Sequence, residues 1–240
     1  MWLDAGSISA GVKAGQFFMV KCGDETVLRR PISVHNIDKA NGRLAFLYAV
    51  VGRGTAWLAN CQTGAGLDIL GPLGNGFKLS GKTGNVLLVA GGIGIAPLVY
   101  LAENAIKSGK KVTLLLGAAT AAKLYPPGLL PGAVKVVLAT DDGTRGHKGL
   151  VTDLIPEYTP ESGQIMICGP MPMLRFIAGH RKELGLADKK ADISLEMRMA
   201  CGFGVCLGCT IRTTNGLKEV CKDGPVFRLD EVIWDELTVI

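Results

Sequence analysis

The chain lacks a long apolar run, is poor in aromatic residues and has no cluster of basic charge. Its longest apolar stretch, residues 86–101, is broken by glycines and a proline and falls short of the roughly 18 to 20 residues of a membrane span. Lysine and arginine exceed aspartate and glutamate by 26 to 21 and are scattered, which argues against nucleic-acid binding. No secretory leader opens the chain, so we expect a cytoplasmic protein without a membrane partner.

The composition is instead that of a globular protein with many tight turns. Of 240 residues, 48% are hydrophobic and 33 are glycine, which allows one large domain or two smaller domains with an appendage. The cysteines number seven, and four of them fall after residue 200. An odd count concentrated in this way favours a metal site in a reducing compartment over a disulfide framework.

Residues 1–80 show short apolar runs separated by turns, which predicts an antiparallel β-barrel. Asn41 and Gly42 supply the turn residues of one hairpin. Because the sequence opens directly on a run beginning at Trp2, we expect the first barrel strand to be truncated.

Residues 81–190 alternate apolar strands, glycine turns and helical stretches, the pattern of a parallel sheet that is buried on both faces. Residues 191–240 break this alternation and carry four cysteines, so we interpret them as a small third module. The fold class expected is therefore mixed: an antiparallel barrel, an α/β parallel-sheet domain and a C-terminal module.

The strongest motif lies in residues 200–209, "ACGFGVCLGC", here named the cysteine loop. Cys201, Cys206, Cys209 and Cys221 have the spacing C-x4-C-x2-C-x11-C, and the first three match the plant-type [2Fe–2S] ligand run. The interleaved glycines let backbone N–H groups approach inorganic sulfide. A zinc site or a disulfide pair is the alternative, although zinc usually takes two C-x2-C pairs. The other three cysteines are expected to be small buried apolar residues or strand-end residues, namely Cys22, Cys61 and Cys168.

Two glycine turns end apolar strands of the predicted parallel sheet. Glycines at a strand-to-helix turn let the phosphates of a dinucleotide approach a helix N-terminus, and two such turns at one sheet edge form a crevice. The strict G-x-G-x-x-G pattern is absent, so a plain tight turn remains the alternative. The candidate residues are Gly91, Gly92, Gly94, Ala96 and Pro97 in the first turn, and Cys168, Gly169 and Pro170 in the second.

The barrel segment carries two further candidates. Arg30 of "RRPISV" could clamp a pyrophosphate, and Ser33 could donate a hydrogen bond to a flavin or phosphate, although a solvated barrel edge explains both. The stretch "VGRGT" predicts a glycine turn with Thr55 as a helix N-cap. The histidines at 35, 147 and 180 are expected to be ordinary surface residues.

Together these motifs resemble the ferredoxin–NADP reductase superfamily along nearly the whole chain. Within it, "LRRPISV", "GPLGNGF", "GGIGIAPL", "LEMRMACGFGVCLGC" and "VCKDGPVF" are most similar to the electron transfer subunits of B-type dihydroorotate dehydrogenase. The resemblance implies FAD, a [2Fe–2S] cluster and NAD(H) as substrate. It implies a catalytic partner subunit that holds FMN, in a heterotetramer of two copies of each subunit.

The resemblance also implies the residues that hold each cofactor and leaves no catalytic acid, base or nucleophile to assign. By this resemblance the four cysteines of the motif ligate the cluster. FAD is bound by Arg30, Pro31, Ile32, Ser33, Leu47, Tyr48, Ala49, Gly54 and Thr55. Two alternatives stay open: the small subunit of an NADPH-dependent ferredoxin or sulfide oxidoreductase, and a non-enzymatic iron–sulfur sensor that has lost its flavin.

Overall fold

The computed structural model describes residues 1–81 and 84–237. The last three residues of the predicted third module, 238–240, lie outside the described residues. Within the described ranges the strands form three sheets, of five, seven and two strands. No helix in these ranges has the length and apolar character that crossing a membrane requires.

The N-terminal region is a five-stranded antiparallel sheet with the order β1-β4-β3-β2-β5, which confirms the antiparallel class expected for this region. Its strands are β1 (Trp2–Asp4), β2 (Phe17–Val20), β3 (Arg30–Asp38), β4 (Arg43–Phe46) and β5 (Ile69–Leu73). Gly42 adopts a φ of +63° in the β3–β4 connection, as the turn prediction required. Helix α1 (Arg53–Ala59) lies between β4 and β5 in the chain.

The central region is a seven-stranded sheet with the order β14-β11-β10-β6-β7-β8-β9. The pairs from β11 to β9 are parallel, which confirms the parallel-sheet prediction. The strands are β6 (Asn85–Gly91), β7 (Lys111–Ala118), β8 (Val134–Thr140), β9 (His147–Lys148), β10 (Gln164–Cys168), β11 (Ala191–Ser194) and β14 (Val226–Arg228).

Three helices accompany this sheet: α2 (Ala96–Lys107), α3 (Ile155–Tyr158) and α4 (Met171–Gly179). Every residue of β10 is buried, which explains the apolar run that follows Gln164 in this strand. One apolar core continues from the five-stranded sheet to α2, so the two regions share a packed junction.

The C-terminal region contains the two-stranded sheet of β12 (Thr210–Thr213) and β13 (Gly216–Glu219). Residues on both sides of this small sheet return to the seven-stranded sheet, because β11 pairs with β10 and with β14. We therefore keep the boundaries 1–80, 81–190 and 191–240 as a proposed division.

Candidate functional site

The segment 30–33 of β3, here named the flavin segment, has an open edge. Arg30 to Ser33 pair with β2, whereas the β3–β4 ladder begins only where Val34 faces Phe46. Within the described ladders, the backbone of residues 30–33 therefore has no strand partner on the side of residues 47–49. Unpaired backbone donors and acceptors beside a gap in a sheet suit a flat, polar-edged ligand such as the ring system of a flavin.

Helix α1 approaches the flavin segment through a glycine. A side-chain carbon added at Gly54 would lie 2.9 Å from Nε of Arg30 and 3.3 Å from Cβ of Cys22. The guanidinium of Arg30 donates a hydrogen bond to the carbonyl of Leu28, which directs it along this end of the sheet. The structure thus brings Arg30 and Gly54 together, as the sequence analysis expected of an FAD site.

The prediction that Thr55 is the N-cap of this helix is wrong. The helix begins at Arg53, with Gly52 as the N-cap, so Thr55 lies inside the first turn. Its hydroxyl accepts hydrogen bonds from the backbone N–H groups of Val51 at 3.0 Å and Gly52 at 3.2 Å. Thr55 therefore fixes the loop that precedes the helix, from inside the helix.

The two glycine turns of the parallel sheet lie against each other. They follow β6 and β10, which are adjacent and place Ala90 opposite Cys168. A side-chain carbon at Gly94 would overlap the carbonyl of Cys168, and one at Gly91 would lie 2.6 Å from Sδ of Met173. Only glycine permits this approach, so the two turns meet at the carboxyl edge of the sheet, where the dinucleotide crevice is predicted.

Cys168 is a buried thiol at the end of β10, beside the predicted crevice. Burial raises its pKa above the usual range, and the charge of Glu196 raises it further. Its thiol stays protonated near neutral pH, which fits the expectation of a small buried cysteine and excludes a thiolate nucleophile. Cys22 is likewise buried, whereas Cys61 is only half-buried.

The four motif thiols lie near one another: Cys201 interacts with Cys206, Cys209 interacts with Cys221, and the charge of Cys201 also acts on Cys221. The backbone supports each pair, because Val205 N–H points to Sγ of Cys201 and Cys221 N–H to Sγ of Cys209, both at 3.4 Å. No three His, Cys, Asp or Glu side chains within residues 1–81 and 84–237 are grouped to hold a single metal ion. Two thiolates for each of two irons is the requirement of a [2Fe–2S] cluster.

The thiols of these pairs titrate differently. Burial alone would raise the pKa of Cys201, but hydrogen bonds from the backbone of Cys206, Phe203 and Val205 outweigh it and lower the pKa to about 6. Burial raises the pKa of Cys221 to about 12, and the adjacent thiol of Cys209 adds to the rise. Two adjacent buried thiols ionise only beside a compensating positive charge, which iron would supply. The donor set therefore fits the cluster.

The conformation of the cysteine loop depends on left-handed residues. Gly202 and Gly204 have φ values of +84° and +87°, and Leu207 has a φ of +60° although it is not glycine. Left-handed leucine is strained by roughly 1 to 3 kcal/mol and is typical of functional loops. These left-handed conformations direct backbone N–H groups of the loop toward the sulfur atoms, and the cost is backbone strain at Leu207.

The cysteine loop packs directly on the five-stranded sheet. A side-chain carbon at Gly202 would lie 3.0 Å from Sδ of Met19 and 3.3 Å from Cδ1 of Leu73. Met19 is fully buried and pairs with Pro31 of the flavin segment. A single buried side chain therefore separates the flavin segment from the cysteine loop.

Asn75, which the sequence analysis missed, holds the second half of the C-terminal module. Its side-chain amide donates to the carbonyls of Lys222 and Asp223 at 3.0 and 2.9 Å, and its backbone N–H donates to the carbonyl of Gly224 at 2.5 Å. The residues it holds directly follow Cys221. The motif "GPLGNGF" contained the signal, but a partner so distant in sequence could not be derived from it.

Comparison with known proteins agrees with this arrangement. Residues 196–233 match the iron–sulfur cluster binding domain of dihydroorotate dehydrogenase B, and residues 88–179 match the oxidoreductase NAD-binding domain. The electron transfer subunit of dihydroorotate dehydrogenase B (NAD(+)) from Geobacillus kaustophilus is 41% identical, over 91% of this chain and 86% of the relative. The corresponding subunit from Desulforamulus reducens is 37% identical, over 98% and 92%. This chain belongs to that family.

Solved structures place the family in a wider group of flavin reductases. An NADH-dependent reduced ferredoxin-NADP oxidoreductase matches 98% of this chain and 85% of its own, with a TM-score of 0.88 and 31% identity. A cytochrome P450 reductase from Amycolatopsis matches 74% of this chain and 59% of its own, with a TM-score of 0.62 and 25% identity. This member of the dihydroorotate dehydrogenase B electron transfer family therefore has the ferredoxin–NADP reductase fold with an added iron–sulfur region.

The expectation that His35 is an ordinary surface residue is wrong. His35 is half-buried, and both ring nitrogens are hydrogen-bonded across the junction between the two larger sheets. His147 and His180 are exposed, as expected. Nothing in the local pattern around His35 distinguished it from a residue on a solvated strand.

Proposed function

We propose that this chain transfers electrons between NAD(H) and the FMN of a dihydroorotate dehydrogenase catalytic subunit, in pyrimidine (UMP) biosynthesis. The observation that carries the proposal is the contact of the cysteine loop with the flavin segment across Met19. This contact joins a nucleotide crevice, a flavin edge and a cluster loop in one continuous series. It occurs in a chain about 40% identical to electron transfer subunits over about 90% of its length.

We assign the cofactors to the residues predicted from the sequence. FAD binds at Arg30 to Ser33, Leu47 to Ala49, Gly54 and Thr55. NAD(H) binds at the two glycine turns. The cluster is held by Cys201, Cys206, Cys209 and Cys221. Bound at these residues, FAD would supply the conversion between the two-electron chemistry of NAD(H) and the one-electron chemistry of the cluster. The protein positions the three groups and excludes water between them, and no acid, base or nucleophile of the chain is needed.

The partner surface is the outer face of the cysteine loop. Phe203, Val205 and Leu207 are 51%, 71% and 61% exposed, and they lie between the cluster cysteines. An apolar rim of this kind suits burial by another protein. We propose that the FMN-containing subunit covers it, in a cytoplasmic heterotetramer with two copies of each chain.

Reconstitution with the catalytic subunit tests the function. The isolated chain should reduce artificial acceptors with NADH but should not oxidise dihydroorotate, because we assign that reaction to the FMN subunit. Adding the FMN subunit should produce dihydroorotate-dependent reduction of NAD⁺. Oxidation of dihydroorotate by the isolated chain, or failure to form a complex and restore coupling, would contradict the proposal.

We expect NADH to be preferred over NADPH by about tenfold, or about 1.4 kcal/mol. The ribose of a dinucleotide is expected near the end of β7, and the loop after β8 packs there, with Asp142 N–H donating to the carbonyl of Ala119 at 3.3 Å. Hydrogen bonds from Thr144 lower the pKa of Asp142, which keeps its carboxylate charged against a 2′-phosphate. Asp141 adds a second negative charge against the 2′-phosphate, whereas the positive charge of Arg145 in the same loop would attract it.

Rapid-mixing measurements of FAD reduction with each nucleotide test this preference. The variant Asp142→Asn should reduce the preference for NADH over NADPH, since asparagine removes the negative charge of the side chain and keeps its size. Comparable or faster reduction of the unmodified protein by NADPH would contradict the prediction.

The small subunit of a ferredoxin-linked oxidoreductase is the second candidate, because the structure with a TM-score of 0.88 is described as an NADH-dependent reduced ferredoxin-NADP oxidoreductase. Its identity of 31% is below the 41% of the dihydroorotate dehydrogenase B relative. Identifying the protein that co-purifies with the chain discriminates the two. A flavin spectrum that is released on denaturation excludes a flavin-free sensor.

A further inference from the structure

His35 lies at an irregularity in the β3–β4 ladder. Val34 faces Phe46 and Asn36 faces Ala45, so His35 is the additional residue on β3 at a shift in register. Such a bulge redirects side chains that would otherwise alternate between the two faces of the sheet. As a result, the consecutive residues His35 and Asn36 both reach the nucleotide-binding region.

The hydrogen bonds of His35 fix its protonation state. Nδ1 lies 3.0 Å from the carbonyl oxygen of Ala96, and Nε2 lies 3.1 Å from the hydroxyl of Tyr125. Because a carbonyl only accepts, we assign the proton to Nδ1. In the neutral ring Nε2 then accepts from the Tyr125 hydroxyl. The two rings also pack edge to face, with centroids 5.4 Å apart.

The surroundings favour this neutral form. Burial lowers the pKa of His35, and the positive N-terminal amine of Met1 lowers it further. The Ala96 carbonyl and the Glu103 carboxylate act in the opposite direction and are outweighed. Near neutral pH the imidazole is therefore uncharged and serves as donor and acceptor at once.

The two partners of His35 belong to the nucleotide side of the site. Ala96 is the first residue of α2 and follows Gly94 of the first glycine turn by two residues. Ser33 of the flavin segment precedes His35 by two residues. Asn36 adds a second connection, because its amide donates to Glu103 of the same helix at 2.6 Å. Strand β3 is thus held to α2 at its first residue, Ala96, and again at Glu103.

We propose that His35 is a positioning residue for hydride transfer, in which its ring fixes the separation between the flavin segment and the first glycine turn, which we assign to NAD(H). The inference rests on the proposed function and assigns that function a residue outside the cofactor contacts. Hydride transfer is sensitive to the distance and angle between its reacting atoms, so a junction that is held at Ala96 sets its rate. A displacement of about 1 Å can cost up to about 100-fold in rate.

Three variants separate the two hydrogen bonds. His35→Ala removes both, Tyr125→Phe removes the bond to Nε2, and His35→Asn keeps an amide donor near the Ala96 carbonyl. His180→Ala is the matched control, because His180 is exposed and its ring bonds to the carbonyl of Phe176 at its own helix end, away from the junction. All variants are measured as the full-length chain with FAD and cluster bound.

The limiting rate of FAD reduction by NADH should fall about tenfold or more in His35→Ala. The long-wavelength charge-transfer absorbance of stacked nicotinamide and flavin should weaken with it. His35→Asn should recover part of both signals, while FAD content, iron content and Tm remain near those of the unmodified protein. As the pH is lowered, the rate of FAD reduction in the unmodified protein should stay constant until the pH is below about 6.5, the ordinary histidine pKa, and should then fall. His35→Asn should not show this fall.

An unchanged rate and charge-transfer band in His35→Ala would overturn the inference and leave the proposed function intact. Losses of rate that merely follow losses of FAD and Tm, without recovery in His35→Asn, would also overturn it, because they indicate a structural role. An unmodified protein whose FAD is not reduced by NADH would contradict both the inference and the proposed function.

Discussion

Cys221→Ser is expected to abolish dihydroorotate-dependent reduction of NAD⁺ in the reconstituted complex while much of the NADH-to-FAD step persists. Cys221 and Cys209 are 1% and 2% exposed and form the buried pair of the cluster site. Serine supplies a poorer ligand in a position where water cannot replace the lost thiolate. Anaerobically purified protein should contain about two irons and two acid-labile sulfides per chain, and the variant should lose most of both.

Cys61→Ser is the matched control for this experiment. Cys61 is half-buried, lies outside the motif and contacts the carbonyl of Trp57 through its thiol. The same chemical change should leave iron, sulfide and coupling intact there. The cluster assignment fails if unmodified protein holds stoichiometric zinc without acid-labile sulfide, or if Cys221→Ser retains full iron and coupling.

Arg30→Ala is expected to weaken FAD binding by roughly ten- to a hundred-fold, equivalent to about 1.5 to 3 kcal/mol. The guanidinium is half-buried at the start of β3, where Gly54 lets helix α1 approach it closely. Its planar set of donors suits a pyrophosphate, and in the alanine variant the negative charge of the pyrophosphate loses this partner. FAD retention after gel filtration and the dissociation constant from flavin fluorescence measure the effect.

The neighbouring arginine controls for the loss of charge. Arg29 pairs with Asp68 at 2.6 Å on the surface, so Arg29→Ala removes the same charge one residue away from the site. We expect Arg29→Ala to retain FAD, and both variants to keep their iron. Equal retention of FAD in Arg30→Ala would show that the flavin lies elsewhere.

Local chemistry made part of the site predictable from the sequence. The cysteine spacing, the glycines at Gly91 and Gly94, and the apolar strands before them describe contacts made within a few residues. Their structural requirements, close backbone approach and burial on both faces, appear directly as residue types. The parallel sheet and its two adjacent turns followed from these signals.

The missed features depend on register and on long-range contacts. His35 reaches Ala96 because a bulge shifts β3 against β4, and no residue type near position 35 encodes that shift. Asn75 bonds to Lys222 across 147 positions of sequence. Thr55 was misplaced by three positions, because Gly52, which has no side chain to form a cap, begins the helix turn.

The pairing of β11 with β14 has a consequence for how the chain is assembled from parts. Ser194 faces Val226, and Leu195 N–H donates to the carbonyl of Pro225 at 2.9 Å, so the ends of segment 195–225 are held side by side. Antiparallel strands in that relation are ordinarily joined by about two to five residues. The iron–sulfur region thus occupies the place of one such short link, and it forms a cassette whose removal would leave both anchoring strands correctly opposed.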